Sequence, residues 1–183
     1  MKLLLSLCIV ICALQTSSSA NIRLLTIPLV TAQDEKTPPP PCSAEEFSQF
    51  DFWVGEWTAT WSDTIHGYNT VTKPYDRCVI LENFDAHPGG QLKGMSVSTY
   101  SIPHKKWKQT WVDNSGAYLD FEGGMVADSM ILSRTAIGKD GNKFQQRMVW
   151  YNITHEAFDW NWQNSRDDGK TWKTAWQIRY SRK

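Results

Sequence analysis

The stretch Phe52-Trp53-Val54-Gly55-Glu56-Trp57 decides the fold. From Trp53 to Trp61 every second residue is apolar or small, while the residues between them are mostly polar. Side chains of a β-strand alternate between its two faces, so a period of two indicates a strand with one buried face. We therefore expect an exposed polar face and an inward face rich in tryptophan.

The same alternation returns in later segments, and turn sequences separate them. Apolar residues alternate with polar ones in 107–111, in 158–162 and in 172–180, where Trp172, Thr174, Trp176, Ile178 and Tyr180 are predicted to share one face. Turns rich in Gly, Asp, Asn and Pro lie between the segments. Counting the segments predicts an all-β, antiparallel meander β-barrel of about ten strands. A β-sandwich is the alternative.

A short helix is predicted before the first strand. Ser43-Ala44-Glu45-Glu46 matches a capping box, and Phe47 and Phe50 supply an apolar side to a helix that ends near Asp51. We expect this helix to plug or flank one end of the barrel.

The N-terminal segment predicts export. Residues 1–20 combine Lys2, an apolar run and a small-residue cleavage site, which is typical of a signal peptide. Cleavage after Ala20 is expected, and Ala32 offers a second site. Residues 21–41, which include four consecutive prolines, are predicted to be a flexible linker, and residues 42–183 to form the barrel domain. The protein is thus expected to be secreted, or periplasmic if the host is bacterial.

Export determines how the cysteines and the sequon are interpreted. Cys8 and Cys12 leave with the leader, so Cys42 and Cys78 remain and predict one disulfide bond in an oxidising compartment. Asn152 begins the sequon Asn-Ile-Thr and is a candidate glycosylation site in a eukaryotic host.

Composition argues against several classes of function. Nineteen Lys and Arg balance nineteen Asp and Glu in 183 residues, which argues against binding to nucleic acid. The longest apolar run, in the leader, is about twelve residues, short of the roughly twenty that span a membrane, so stable membrane insertion is not expected. No spacing of histidines predicts a metal site, no cofactor is required, and the oligomeric state is open.

Several segments resemble one family. The Asp51–Trp57 signature, the segment 107–116 and the segment 165–172 look like those of an uncharacterised family of lipocalin-like proteins, related in fold to the calycins. The resemblance spans Cys42 to Lys183 and implies a calycin-type barrel. The family brings no established substrate or catalytic residues, so no site is carried over.

Two narrower resemblances concern the C-terminus. In lipocalins the Trp of a Gly-x-Trp motif packs at the closed end of the barrel under a late Arg, a part that Arg179 or Arg182 can play over Trp57. Fatty-acid-binding proteins end in an Arg-x-Tyr clamp, whereas Arg179 and Tyr180 are adjacent and point to opposite faces. The resemblance therefore does not imply a fatty-acid clamp.

The inward tryptophans suggest a binding function. Barrels of eight or more strands can hold one small ligand, in cavities walled by aromatic side chains with a few polar groups. We expect a binding protein for a small hydrophobic or aromatic molecule. The candidate lining residues are Tyr100, Trp111, Arg147, Trp150, Trp160 and Trp162.

Three alternatives stay open at this point. In the first, the barrel is an isomerase, cyclase or hydrolase that acts on a hydrophobic substrate, with Asp113, Glu122 or Arg147 as proton-transferring or electrostatic groups. Alternatively, the tryptophans only pack, in an extracellular structural protein with a filled barrel. Haem binding is a third alternative, which requires one of the four histidines to point into the barrel.

Overall fold

The computed structural model describes residues 37–183. The predicted leader, residues 1–20, and the first part of the predicted linker, residues 21–36, lie outside the described residues. Residues 37–41, the end of the predicted linker, are exposed and belong to no helix or strand.

Ten strands form one closed antiparallel barrel, which confirms the predicted meander and excludes the sandwich. Each strand pairs with the next one along the chain, and β10 pairs with β1 to close the sheet. The strands are β1 Gly55–Thr60, β2 His66–Thr72, β3 Val79–Asp85, β4 Lys93–Ser101, β5 Lys106–Asp113, β6 Tyr118–Val126, β7 Ser129–Ile137, β8 Lys143–Tyr151, β9 Ala157–Ser165 and β10 Lys173–Arg182.

The predicted short helix is present as two 3-10 turns, Glu45–Ser48 and Asp51–Trp53. The predicted capping box is not formed, because the first turn begins after Ala44 and has no side-chain cap. Phe50 is fully buried, and its ring centroid lies 4.8 Å from that of Trp107 inside the barrel. The segment thus plugs this end, which we call the plugged end. No helix in residues 37–183 is long and apolar enough to cross a membrane.

A disulfide bond holds the plug to the barrel. Cys42 and Cys78 are bonded, as predicted, with their Cα atoms 5.2 Å apart. Cys42 lies just before the plug and Cys78 lies in the loop between β2 and β3. The bond therefore ties the plug to the plugged end of the sheet.

Arg182 closes the barrel over Trp57. Its guanidinium carbon lies 4.2 Å from the Trp57 ring centroid, and its Nη1 donates to the carbonyl oxygen of Val54 over 3.1 Å. Gly55 has φ of +145°, and a Cβ there would lie 2.2 Å from Arg182 Nη1, so the arginine requires the glycine. Arg179 instead points outward and pairs with Asp159.

The prediction that residues 172–180 share one face is wrong for Trp172 and Thr174. Thr174 pairs with Gln163, and Trp176 pairs with Trp162, so Ala175 is an extra residue in β10. This β-bulge reverses the alternation of faces. Trp176 faces the interior, whereas Thr174 shares the outer face with Gln163, whose Nε2 donates to its hydroxyl.

Candidate functional site

The barrel encloses a cavity of about 240 Å³. It lies between the plug and the opposite end, which we call the mouth and which is formed by the loops 61–65, 86–92, 114–117, 138–142 and 166–172. Fifteen side chains line the cavity: Trp53, Glu82, Phe84, Leu92, Trp111, Asp113, Leu119, Phe121, Met148, Trp150, Trp160, Trp162, Trp176, Ile178 and Tyr180.

Tryptophans form most of one wall. Six of the chain's ten tryptophans line the cavity. Trp160 meets the ring of Trp176 edge-on at 5.7 Å between centroids, and it meets that of Trp150 at 6.4 Å. Edge-to-face contacts of this kind fix ring orientations. Trp150 is buried near the plug, while Trp162 and Trp176 are half-buried towards the mouth.

The opposite wall carries a buried carboxyl group. Glu82 on β3 is only 6% exposed and lines the cavity. Asn69 Nδ2 donates to its Oε1 over 2.8 Å, and Ser96 Oγ donates to its Oε2 over 2.6 Å. On the same wall, Gln109 Nε2 donates to Ser98 Oγ over 2.9 Å. The wall opposite the tryptophans of β8, β9 and β10 thus combines these polar groups with the rings of Phe84 and Trp111.

Burial changes the acidity of Glu82. Loss of solvation raises the pKa of Glu82 from 4.5 to about 7, although the hydrogen bonds from Ser96 and Asn69 act in the other direction. Burial, and then the nearby charge of Glu82, raise the pKa of Tyr180 well above 10. Tyr180 is therefore neutral near pH 7, where Glu82 changes its charge.

The alternation of β3 accounts for the inward direction of Glu82. Ile80, Glu82 and Phe84 share one face of the strand, and all three are buried. An acidic residue between two apolar residues of one face is the signal by which the sequence indicates a buried carboxyl group. The sequence predictions above missed Glu82, Asn69 and Tyr180, although this signal was present.

Asp113 lies at the mouth and holds Trp111 in place. Its Oδ2 accepts a 2.8 Å hydrogen bond from Trp111 Nε1, and its Oδ1 accepts one from the backbone N–H of Ser115. Burial raises the pKa of Asp113, but the hydrogen bonds from Ser115, Trp111 and Ala117 together outweigh it, so that the pKa is lowered. The carboxylate is therefore ionised, and it is already hydrogen-bonded to the turn that follows it.

Four of the six predicted lining residues do line the cavity: Trp111, Trp150, Trp160 and Trp162. Tyr100 does not, because its ring packs at the plugged end, 5.5 Å from that of Phe47. Whether the four tryptophans bind a ligand stays a prediction.

Arg147 does not line the cavity, and its predicted position was wrong. Residues 147 and 150 differ by an odd number, so a regular strand places them on opposite faces. Trp150 faces inward and Arg147 outward, where its Nε donates to Gln163 Oε1 over 2.7 Å. Its guanidinium carbon lies 3.9 Å from the Trp172 ring centroid.

The other candidate charges lie away from the cavity. Glu122 is on the outer face, where hydrogen bonds from Lys106 and Lys108 lower its pKa to about 2. None of the four histidines, all of which are described, lines the cavity. The described residues include no group of three or more His, Cys, Asp or Glu side chains that could hold a metal ion. The geometry thus offers no support for haem binding or for Glu122 in catalysis.

The candidate glycosylation site is exposed. Asn152 lies in the turn between β8 and β9, and its Nδ2 donates to Asp159 Oδ2 over 2.7 Å. Modification of Asn152 stays a prediction.

Three buried polar atoms near the cavity have no hydrogen-bond partner in the described part of the protein. They are Nε1 of Trp53, Nε1 of Trp150 and Oδ1 of Asn69. Buried polar groups of folded proteins are nearly always paired, so unpaired ones call for an explanation. Trp53 and Trp150 both line the cavity, so a bound molecule is one source of partners.

Comparison with known proteins gives no assignment. No family model matches the chain, and a search of curated proteins found no match. The chemistry of the cavity therefore rests on its own residues.

Proposed function

We propose that this protein is a binding protein that holds one small hydrophobic or aromatic molecule inside the barrel. The observation that carries the proposal is the cavity of about 240 Å³ with its six tryptophans. A dry cavity of about 150 Å³ accepts benzene in another protein, so this one suits a single ring with a short substituent. A barrel whose side chains only pack would not leave this space.

The polar groups of the cavity support selection of an amphipathic ligand. Ligand sites typically combine an apolar lining with a few polar groups that fix orientation. Here the polar groups are Glu82, with its partners Asn69 and Ser96, and the unpaired indole N–H groups of Trp53 and Trp150. A ligand with one polar end can donate a hydrogen bond to the Glu82 carboxyl group while its ring packs against the aromatic wall.

We further propose that the protein acts outside the cytosol and is related to lipocalin-like proteins. The disulfide between Cys42 and Cys78 supports an oxidising compartment. The position of Arg182 over Trp57 supports the resemblance to lipocalins. Export itself is tested by N-terminal sequencing of the protein secreted from its native host, which is expected to begin after Ala20 or Ala32.

Calorimetric titration with 2-phenylethanol tests the binding proposal. The alcohol matches the size of the cavity, and we expect saturable binding of one molecule per chain. Leu119→Trp fills the cavity near the mouth and is expected to abolish binding. Val112→Trp introduces the same side chain on the exposed face of the neighbouring strand and is expected to leave binding unchanged. Equal binding by the two variants contradicts the proposal, and so does a parent protein that binds neither this alcohol nor its amine analogue 2-phenylethylamine.

One observation favours an enzymatic alternative, in which Glu82 transfers protons. A carboxyl group with a pKa of about 7 in an aromatic cavity suits general acid–base catalysis at neutral pH. Exchange of the α-protons of phenylacetone for deuterium in D₂O, followed by NMR, tests it. Catalysed exchange that Glu82→Gln abolishes supports the enzyme, and exchange at the buffer rate opposes it.

A further inference from the structure

We infer that the ligand is a small organic ammonium ion, with Glu82 as its counter-charge and the tryptophan rings as its cage. This inference rests on the proposed binding function and adds the chemical class of the ligand. It concerns compounds that carry one protonated amine and an apolar or aromatic group, such as aryl-alkyl amines.

The Glu82 carboxyl group has hydrogen-bond partners but no cationic partner in the described part of the protein. Both oxygens accept hydrogen bonds, one from Asn69 Nδ2 and the other from Ser96 Oγ. Within the described residues no Lys, Arg or His nitrogen lies within 4.0 Å of either oxygen, since Glu82 takes part in none of the ion pairs. A buried carboxylate without a counter-charge is unfavourable, and a bound cation supplies the missing charge.

The charge of the whole lining favours cations over anions. The two carboxylic acids among the lining residues are Glu82 and Asp113, and the same set contains no Lys, Arg or His. Arg134 on β7 is not a lining residue, although its guanidinium carbon lies 5.7 Å from the ring centroid of the lining residue Phe121; its Nη1 is bonded to Gln146 Oε1. Fatty acids and porphyrins, which carry carboxylates, would meet like charge at Asp113 in the mouth and at ionised Glu82 inside the cavity.

The aromatic wall adds a second interaction for a cation. Tryptophan attracts ammonium groups through the negative face of its ring more strongly than Tyr or Phe, and desolvation strengthens the attraction. Six tryptophans line the cavity, and Trp53 and Trp150 are almost fully buried. Aromatic cages in other proteins recognise ammonium groups in this way. A binding site for an alkane or a neutral arene would have no use for the buried carboxyl group of Glu82.

The groups that face Glu82 predict a simple dependence of binding on pH. They are Asn69 from β2, Ser96 from β4 and Tyr180 from β10, and of these only Tyr180 titrates. Tyr180 stays neutral below pH 10, so Glu82 alone changes charge near neutrality. Because the cation binds the ionised form, its affinity rises with pH, by about tenfold between pH 6 and pH 8 for a group that titrates near 7.

Calorimetric titration of the full-length protein with three matched compounds tests the inference. The compounds are 2-phenylethylamine, 2-phenylethanol and 3-phenylpropionate, which share a ring and a short chain and differ in charge. At pH 8 we expect the amine to bind at least about ten times more tightly than the alcohol, because a charge-assisted hydrogen bond is stronger than a neutral one. We expect no measurable binding of the carboxylate.

Glu82→Gln keeps the size of the side chain and can keep both hydrogen bonds. We expect it to weaken binding of the amine about tenfold or more, to leave that of the alcohol nearly unchanged and to remove the pH dependence. Glu122→Gln, on the outer face, is the matched control and is expected to change none of these. The rise of amine affinity from pH 6 to pH 8 in the parent protein is a readout that does not depend on how any variant folds.

The outcomes separate the two proposals. If the alcohol binds as tightly as the amine, if Glu82→Gln leaves the affinity for the amine unchanged, or if that affinity does not rise with pH, the inference is overturned while the binding function stands. If neither the amine nor the alcohol binds, both proposals fail.

Discussion

Asn69 Nδ2 donates a 2.8 Å hydrogen bond to Glu82 Oε1 between two neighbouring strands inside the barrel. Both residues are buried, and Ser96 completes the set from the third strand by binding the other carboxylate oxygen. Three consecutive strands thus present one acid to a cavity that is otherwise mostly aromatic. The electrostatic character of the site depends on this cluster.

The first prediction concerns stability and pH. The pKa of Glu82 is about 7 in the folded protein against 4.5 without burial, so the folded state binds more protons than the unfolded state between these values. The stability that the folded protein gains from the neutral Glu82 carboxyl is fully present below pH 4.5 and is lost as the pH rises through 7. In urea unfolding without ligand, we expect Glu82 to lower the free energy of unfolding by on the order of 2 kcal/mol between pH 5 and pH 8.

Glu82→Gln isolates this contribution. The variant is expected to be more stable than the parent protein at pH 8 and to lose the decline between pH 5 and pH 8. Glu122→Gln is expected to retain the decline, because its carboxyl titrates far below this range. A parallel decline in Glu82→Gln and in the parent protein would show that Glu82 does not titrate near 7.

The second prediction concerns the closure of the barrel. Arg182→Met removes the contact with the Trp57 ring and leaves the carbonyl oxygens of Val54 and His155 without their donor. We expect a loss of about 1–3 kcal/mol in the free energy of unfolding. Arg179→Met breaks an outward ion pair with Asp159 and is expected to cost at most about 1 kcal/mol. Urea unfolding of both variants checks the difference, and equal losses would contradict the role of Arg182.

The third prediction concerns the packing of Trp111. A Cβ at Gly94 would lie 2.2 Å from Cζ2 of Trp111 and 2.8 Å from the carbonyl oxygen of Val112, so both ring and backbone must shift in Gly94→Ala. We expect a loss of about 1–3 kcal/mol in stability and weaker binding in the cavity. Gly124→Ala is the control, since a Cβ there meets open space. A Gly94→Ala variant as stable as the control would indicate that the ring is not confined.

The fourth prediction concerns the disulfide. The bond closes a loop with a sequence separation of 36. On the chain-entropy model, replacing both Cys42 and Cys78 by Ser is expected to lower the free energy of unfolding by about 4 kcal/mol. Reduction of the parent protein provides the matched comparison, and it is expected to shift the urea midpoint to the same place. A loss of less than about 1 kcal/mol in the free energy of unfolding in both would mean that the plug holds without the bond.

The sequence predicted the fold more fully than the site. Alternation and the turns between the segments indicated the barrel, because both signals repeat along the chain and do not depend on which strands meet. Alternation assigned Trp172 to the wrong face, because the extra residue Ala175 reverses which side chains of β10 point inward. No local sequence pattern marks this bulge. Arg147 was misplaced although its spacing from Trp150 already excluded a shared face.

Glu82 shows why the rest of the site was not predicted. Its inward direction follows from Ile80 and Phe84 on the same face, but its chemistry depends on Asn69 and Ser96 from neighbouring strands and on Tyr180 from the last one. These residues are brought together only by strand register and barrel closure, which the composition of single strands does not specify.

Indole N–H spectra of ¹⁵N-labelled protein test the binding claim most directly, since the ten tryptophans give ten separate reporters. On titration with 2-phenylethylamine at pH 8, we predict shifts and intermolecular NOEs at the lining residues Trp53, Trp111, Trp150, Trp160, Trp162 and Trp176. Trp172, which packs under Arg147 on the outer face, is predicted to stay unchanged. Shifts confined to Trp172, or spectra that change neither with excess 2-phenylethylamine nor with excess 2-phenylethanol, would contradict a ligand site inside this barrel.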